Sequence, residues 1–165
     1  MNRKTPRRHR MVFALAALAT GTGVGLVATA GTAQSAPPAP AAVYSGFKNQ
    51  FTLTTVANGE REVGRLRLPA GSYTIFAKLN LDVASGGNQH IRCFLRAGGD
   101  FDRSIANHDG TIAFMPMSLN VVHTFAAPGS VVLRCGHVFA GGSTPVSFIK
   151  ITAIRASSLS NTPMP

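Results

Sequence analysis

Apolar and polar residues alternate along residues 72–83. The apolar positions of this run are the odd-numbered Tyr73, Ile75, Ala77, Leu79, Leu81 and Val83. The even-numbered positions between them are polar, except for Phe76. A β-strand sends successive side chains to opposite faces, whereas a helix would mix these two sets on its surface. The run therefore predicts a strand with one buried side.

Residues 89–97 repeat this alternation. Its apolar positions are Ile91, Cys93, Leu95 and Ala97. The intervening Gly86-Gly87-Asn88 consists of residue types that tolerate positive φ and favour tight turns. We therefore predict that the strands at 72–83 and 89–97 form an antiparallel hairpin.

Shorter runs of the same kind fill most of the remaining chain, with turn signals such as Asn58-Gly59 and Pro128-Gly129 between them. They lie at 51–56, 63–68, 111–114, 118–125, 130–138 and 146–155. No stretch of this region has a convincing 3.6-residue period. Eight or more short strands separated by turns are typical of a β-sandwich or a barrel, and about 115 residues suffice for one such core.

The first 33 residues have the layout of a secretory signal peptide. Positive charges fill residues 1–10, an apolar stretch follows at 11–19, and small residues continue to 33. Arg7-Arg8 suggests the twin-arginine route, but the residues after it match poorly, which favours the general route. An uncleaved membrane anchor is the alternative, because 11–33 carries no charge and is long enough to span a bilayer.

Four segments follow from these patterns: a signal peptide at 1–33, a flexible Pro/Ala-rich arm at 34–42, a β-sandwich domain at 43–156 and a disordered tail at 157–165. We expect a secreted, extracellular bacterial protein that meets the membrane only during export.

The net charge of +10 depends strongly on the predicted signal peptide. Five of the sixteen basic residues lie in the first ten positions, which leaves eleven basic and six acidic residues and a net charge of +5. Those eleven are scattered singly along the chain. A nucleic-acid-binding protein usually gathers its cations in a stripe with stacking aromatic residues. We therefore expect no nucleic-acid partner.

Two cysteines in an exported chain predict a disulfide. Cys93 shares a strand face with Ile91 and Leu95, and Cys135 shares one with Val131 and Leu133. Both sulfur atoms should therefore point into the core from different strands. A redox pair would favour exposed thiols, often in C-x-x-C spacing, which is absent.

The sequence contains no motif that points to catalysis or to a cofactor. The histidines at 90, 108, 123 and 137 lack metal-ligand spacing, and there is no G-x-S-x-G. We therefore expect a protein that is not an enzyme and binds no cofactor.

The acidic segment 98–110 is the one loop with candidate chemistry. Asp100, Asp102 and Asp109 offer oxygen ligands of the kind calcium prefers. However, the segment departs from the twelve-residue calcium pattern, and short acidic residues are also common in turns. As a protruding loop it would be the contact segment of a secreted enzyme inhibitor, or the site of a small hydrolase, which is the alternative function.

Phe76 and Phe94 fall on the polar side of the two clearest strands. If those strands pair, the two rings should be neighbours on the outer face. Adjacent exposed phenylalanines are candidates for a subunit interface.

Three short motifs resemble the tumour necrosis factor and complement globular-head superfamily. Pro69, Gly71 and Tyr73 match its P-x-G-x-Y lead-in to a central strand, 127–133 resembles its turn into a penultimate strand, and 148–154 resembles its closing strand. The chain also resembles small exported actinobacterial proteins. The superfamily resemblance implies a ten-strand jelly roll, a homotrimer and a binding function without catalysis. The paired cysteines and the missing collagen-like stalk depart from the family.

Together these patterns predict an all-β antiparallel jelly-roll sandwich of about eight to ten strands with one inter-strand disulfide. Its expected function is binding an extracellular protein or surface ligand, or extracellular assembly.

Overall fold

The computed structural model describes residues 41–54, 59–83, 89–108, 113–139 and 142–165. The predicted signal peptide and most of the proline-rich arm lie outside these residues. Within them the chain is all β, with strands β1 (Val43–Thr54), β2 (Arg61–Leu68), β3 (Gly71–Val83), β4 (Gln89–Ala97), β5 (Asp100–His108), β6 (Ala113–Phe125), β7 (Gly129–His137) and β8 (Ser143–Ala156). None of the described residues belongs to a helix that could cross a bilayer.

The eight strands form two four-stranded sheets that pack as a sandwich. Sheet A has the order β1-β8-β3-β6, and sheet B has the order β2-β7-β4-β5. All neighbouring strands are antiparallel. This is the arrangement of an eight-stranded jelly roll, in which consecutive strands often lie in opposite sheets. The predicted fold class is therefore confirmed, as a sandwich rather than a barrel.

The predicted hairpin between 72–83 and 89–97 is wrong. β3 pairs with β6 and β8 in sheet A, whereas β4 pairs with β5 and β7 in sheet B. The chain therefore crosses from one sheet to the other between residues 83 and 89. Alternation identifies which side of a strand is buried, but every strand of a sandwich has one buried side, so the pattern does not select the partner.

The core lies between the two sheets and contains the inward side chains that the alternation predicts. Those of Tyr73, Ile75, Leu79, Leu81, Ile91, Leu95, Val121, Leu133 and Ile151 are all buried. Tyr73 is the largest of them, and its hydroxyl donates a hydrogen bond to the Pro69 carbonyl at 3.1 Å. Its polar tip is therefore satisfied inside an apolar layer.

The disulfide joins Cys93 on β4 to Cys135 on β7, as the strand faces predict. The two residues are direct cross-strand neighbours with Cα atoms 4.1 Å apart, and both are fully buried. Because β4 and β7 are adjacent in sheet B, the bond holds two strands of one sheet together. It also closes a loop with a sequence separation of 42 residues.

Replacing both cysteines, as Cys93→Ala/Cys135→Ala, should lower the free energy of unfolding by about 4 kcal/mol, because the unfolded chain regains the entropy of that loop. Urea unfolding of the oxidised protein and the double variant measures the difference. Mass spectrometry without reductant should find one linked peptide that contains both cysteines. Two free thiols, or equal unfolding midpoints, would contradict this role.

Candidate functional site

The predicted loop at 98–110 is mostly a strand, which corrects the sequence interpretation. Residues 100–108 form β5, the edge strand of sheet B, and Gly98-Gly99 is a two-residue turn from β4. Phe101 and Ile105 point outward from β5 and are exposed, so the outer side of the strand mixes apolar and polar residues and the sequence shows no clear alternation. A protruding inhibitory or catalytic loop is therefore absent from this described stretch.

Asp100 and Asp102 link the edges of the two sheets. Asp100 Oδ2 lies 2.8 Å from His123 Nδ1, and Asp102 Oδ2 accepts a hydrogen bond from the backbone N–H of Asn120 at 2.8 Å. His123 and Asn120 belong to β6, the edge strand of sheet A. The two carboxylates thus connect β5 to β6 across the side of the sandwich.

Asp109, the third candidate calcium ligand, lies outside the described residues. Among the residues that are described, no group of three His, Cys, Asp or Glu side chains is placed to hold a metal ion. Calcium binding at 100–109 therefore stays a prediction.

The His123–Asp100 pair has the form of an acid–base pair, but the imidazole is enclosed. Its ring packs edge-on against Phe125, with centroids 4.4 Å apart. A Cβ atom at Gly98 would lie 2.6 Å from Nε2, so the backbone of Gly98 covers that edge of the ring. Little space is left beside Nε2 for a nucleophile or a substrate.

His137 belongs to a buried polar chain between the sheets. Its Nε2 lies 3.0 Å from Thr144 Oγ1, and that hydroxyl donates to Gln89 Oε1 at 2.5 Å. Burial lowers the pKa of His137, which favours a neutral ring in the folded protein. These hydrogen bonds satisfy polar groups between the sheets, which is a structural role.

Phe76 and Phe94 are not neighbours, so that prediction is wrong. Phe76 lies on the outer face of sheet A and is 45% exposed. Phe94 lies on the outer face of sheet B and is only 8% exposed. The error follows from the wrong hairpin, because the two strands belong to different sheets. An interface role for either residue stays a prediction, and no single flat surface contains both.

Sheet B carries an arginine cluster on its outer face that the sequence analysis missed. All four strands contribute to this surface, which we call the arginine face. Its arginines are Arg65 and Arg67 on β2, Arg134 on β7, Arg92 and Arg96 on β4, and Arg103 on β5.

The strand register places these arginines side by side. Arg134 is opposite Phe94, which is opposite Arg103. Arg65 and Arg96 both pair with Val132, one from each side. Six of the eleven basic residues that were scattered along the chain therefore share one surface.

Glu60 lies among three of the guanidinium groups. Its carboxylate is 3.8 Å from Arg92, 3.9 Å from Arg96 and 3.7 Å from Arg134, and its side chain is 19% exposed. Arg134 also donates to the Glu60 carbonyl at 2.9 Å. The four charges sum to +2, so Glu60 offsets only part of the local positive charge.

Aromatic rings support two of these arginines. The guanidinium carbons of Arg92 and Arg96 lie 5.3 and 4.6 Å from the Phe94 ring centroid, and Arg96 lies 5.4 Å from that of Phe101. Cation–π contacts of this kind restrict where a guanidinium can point. They also explain why Phe94 is buried although it faces outward.

Arg65 and Glu62 form an ion pair on β2, with Arg65 Nε donating to Glu62 Oε1 at 2.9 Å. This hydrogen bond holds the pKa of Glu62 below its ordinary value. Counted over the described residues, the face thus contains six arginines and two glutamates, a net charge of +4. Among the described residues, Arg67 and Arg103 have no carboxylate partner within 4 Å.

The opposite face of the sandwich differs in character. On the outer face of sheet A, Phe76, Lys78, Lys150 and Asn120 border a shallow hollow of about 370 Å³. The two lysines are cross-strand neighbours. This surface has fewer cations than the arginine face and provides a matched control for it.

Comparison with known proteins identifies the fold but no family. No protein-family model matches the sequence, and no curated protein matches it significantly. The structure of infectious bursal disease virus Gt strain matches with a TM-score of 0.50 and 14% identity over 70% of this chain and 32% of the viral chain. Infectious bursal virus-derived T=1 particles match with a TM-score of 0.48 and 17% identity over 70% and 32%.

This chain thus spans about a third of the length of those viral chains. At such low identity the similarity concerns the β-sandwich fold alone. The match with a TM-score of 0.50 is compatible with a general jelly-roll β-sandwich and assigns no activity or partner.

The enclosure of His123 predicts different effects for two adjacent glycines. Gly98 has φ of +57°, and a Cβ there would lie 2.5 Å from His123 Cε1, whereas a Cβ at Gly99 meets nothing within 4 Å. Gly98→Ala should therefore lower the free energy of unfolding by about 1–3 kcal/mol. Gly99→Ala should change it by less than about 0.5 kcal/mol. Urea unfolding compares the two, and equal effects would contradict the close packing of β5 on β6.

Proposed function

We propose that this protein is an exported, non-catalytic β-sandwich module that binds an acidic partner outside the cell through the arginine face. The observation that carries the proposal is the clustering of six arginines on the outer face of sheet B, with only two carboxylates among them in the part of the chain that the structure describes. A surface of one charge sign attracts partners of the opposite sign and speeds their encounter. Arginine also suits this role, because its planar fork binds anionic groups through two hydrogen bonds.

A structural role alone explains this cluster poorly. Like charges on neighbouring strands repel one another and destabilise the sheet. Arg67 and Arg103 contribute positive charge without a described carboxylate to offset it. Phe101 stands beside Arg103 on β5 and is 57% exposed. Cations gathered without matching carboxylates on one rigid surface are more easily explained by a partner of opposite charge.

Two features support a role without catalysis. Gly98 packs against the Nε2 edge of His123, so the ring nitrogen that does not face Asp100 has little space to exchange a proton with a substrate. Asp102, the neighbouring carboxylate, is occupied by backbone N–H groups of Arg103 and Asn120. These groups stabilise the junction of the two sheets.

Export is supported by the disulfide and by the leader pattern. Disulfides persist mainly in oxidising compartments outside the cytoplasm, and Cys93 and Cys135 are bonded here. Residues 1–33 supply the expected targeting signal. The homotrimer implied by the resemblance to the tumour necrosis factor superfamily stays a prediction, which light scattering tests.

Export through the general route should survive the double change Arg7→Lys/Arg8→Lys, because that route needs positive charge and no arginine pair. The full chain with a C-terminal tag, produced in a bacterial host, should appear in the medium without its first 30 or 33 residues. Intact mass and N-terminal sequencing measure this. A full-length product in the membrane fraction would favour the anchor instead, and loss of export in the double variant would indicate the twin-arginine route.

Binding through the arginine face predicts that fluorescein-labelled dextran sulfate and polyglutamate, used as model acidic polymers, bind the protein while unsubstituted dextran does not. Arg67→Gln/Arg103→Gln should weaken that binding about tenfold or more, because it removes two unpaired charges from the contact. Fluorescence anisotropy at several salt concentrations measures the affinity.

The control is Lys78→Gln/Lys150→Gln, which removes the same charge from the opposite face of the sandwich. The full chain is used throughout, so that the basic residues at 1–10 contribute equally to every variant. Equal loss of affinity in both double variants, or no binding of either acidic polymer, would contradict the proposed function.

A further inference from the structure

We propose that the partner of the arginine face is an anionic polysaccharide whose charges are sulfate or phosphate esters. This inference rests on the proposed function and narrows it to one class of ligand. Three observations support it. The arginines around Glu60 have N–H donors that its carboxylate does not use, the positive charge extends over all four strands of sheet B, and two arginines cover the Phe94 ring.

The cluster around Glu60 has more hydrogen-bond donors than its carboxylate can use. Each guanidinium has five N–H donors, so Arg92, Arg96 and Arg134 provide about fifteen. Their nitrogen atoms approach the Glu60 carboxylate only to 3.7–3.9 Å, beyond ordinary hydrogen-bond distance.

A sulfate or phosphate ester matches these unused donors better than a second carboxylate does. Such a group presents three tetrahedrally arranged acceptor oxygens, whereas a carboxylate has two in one plane. Bidentate contacts between guanidinium and an oxyanion are short and strong. The local charge of +2 suits one doubly charged ester or two singly charged esters.

The distribution of charge indicates a polymer. Arginines stand on all four strands of sheet B, and neighbouring strands are about 4.8 Å apart, so the charges extend over roughly 14 Å across the sheet. Along β4 the guanidinium groups of Arg92 and Arg96 instead converge on Glu60, so the charge is spread across the strands rather than along one of them. No single ester reaches both ends of this surface, but successive esters on an extended glycan chain do.

The aromatic residues favour a glycan over single-stranded nucleic acid. Sequence-tolerant nucleic-acid binding normally uses several open rings on which successive bases stack. The Phe94 ring is not free to stack on a base, because the guanidinium groups of Arg92 and Arg96 lie over it. The exposed rings near the arginines among the described residues are Phe101, which pairs with Arg96, and Phe139, which packs on His90, and they lie near opposite ends of β4.

The experiment uses one polymer backbone with different charged groups. Dextran sulfate, dextran phosphate and carboxymethyl dextran of equal length and charge density are compared by fluorescence anisotropy with the full chain at 150 mM salt. Glucose 6-sulfate tests the need for a polymer, and a thirty-residue oligothymidylate tests nucleic acid. We expect one or both ester polymers to bind at least tenfold more tightly than the other three probes.

Glu60 provides the sharper variant. Glu60→Gln removes a negative charge from the centre of the cluster and should raise the affinity for the ester polymers about fivefold. Asp82→Asn is the matched control, because Asp82 lies in sheet A, where its carboxylate accepts a hydrogen bond from Ser147 at 3.0 Å. It should leave the affinity unchanged. Circular dichroism before each titration confirms that both variants keep the β-sheet spectrum.

The outcomes separate this inference from the proposed function. Tight binding of only one ester polymer supports the inference and names the ester. Equal binding of carboxymethyl dextran, equal binding of glucose 6-sulfate, or tighter binding of the oligothymidylate would overturn the inference while an acidic partner remains. Unchanged or weaker ester binding in Glu60→Gln would overturn the role assigned to the cluster. If none of the probes binds, both proposals fail.

Discussion

The register between β4 and β7 determines both the interior and the exterior of sheet B. In that register Cys93 faces Cys135 in the core, and Phe94 faces Arg134 on the outside. Successive residues point to opposite faces, so a slip of one residue would expose the sulfur atoms and bury the arginines. The disulfide forbids such a slip. The bond that stabilises the fold therefore also fixes the geometry of the candidate binding surface.

A second set of contacts closes the side of the sandwich at β5 and β6. Asp100, Asp102, His123 and the close backbone of Gly98 bring the edge strands of the two sheets together. The inner side of β5 packs against β6, and the outer side of β5, which carries Phe101 and Arg103, faces solvent. The acidic residues that suggested a metal site thus help to present the cationic face, because they anchor the edge strand on which part of that face lies.

The two outer faces of this jelly roll differ in a way that suits a binding module. One carries two lysines around a shallow hollow, and the other carries six arginines held in part by aromatic stacking and by Glu60. Repulsion among those arginines costs stability, which the buried core and the disulfide offset. Such a cost is common where a surface is shaped for a partner rather than for folding.

The sequence by itself determined most of the strands, their buried sides and the pairing of the cysteines, because alternation is a local property of the extended chain. Tyr73, Leu81 and Cys93 are buried as that pattern predicts. Only the tertiary structure decided which strands are neighbours, because each strand of a sandwich presents the same kind of buried side to any partner. The wrong hairpin and the unseen arginine face share this cause, whereas strand β5 was missed because its sequence shows no clear alternation. Residues 30 or more positions apart, such as Arg65, Arg96 and Arg134, become neighbours only through long-range register, which no local pattern encodes.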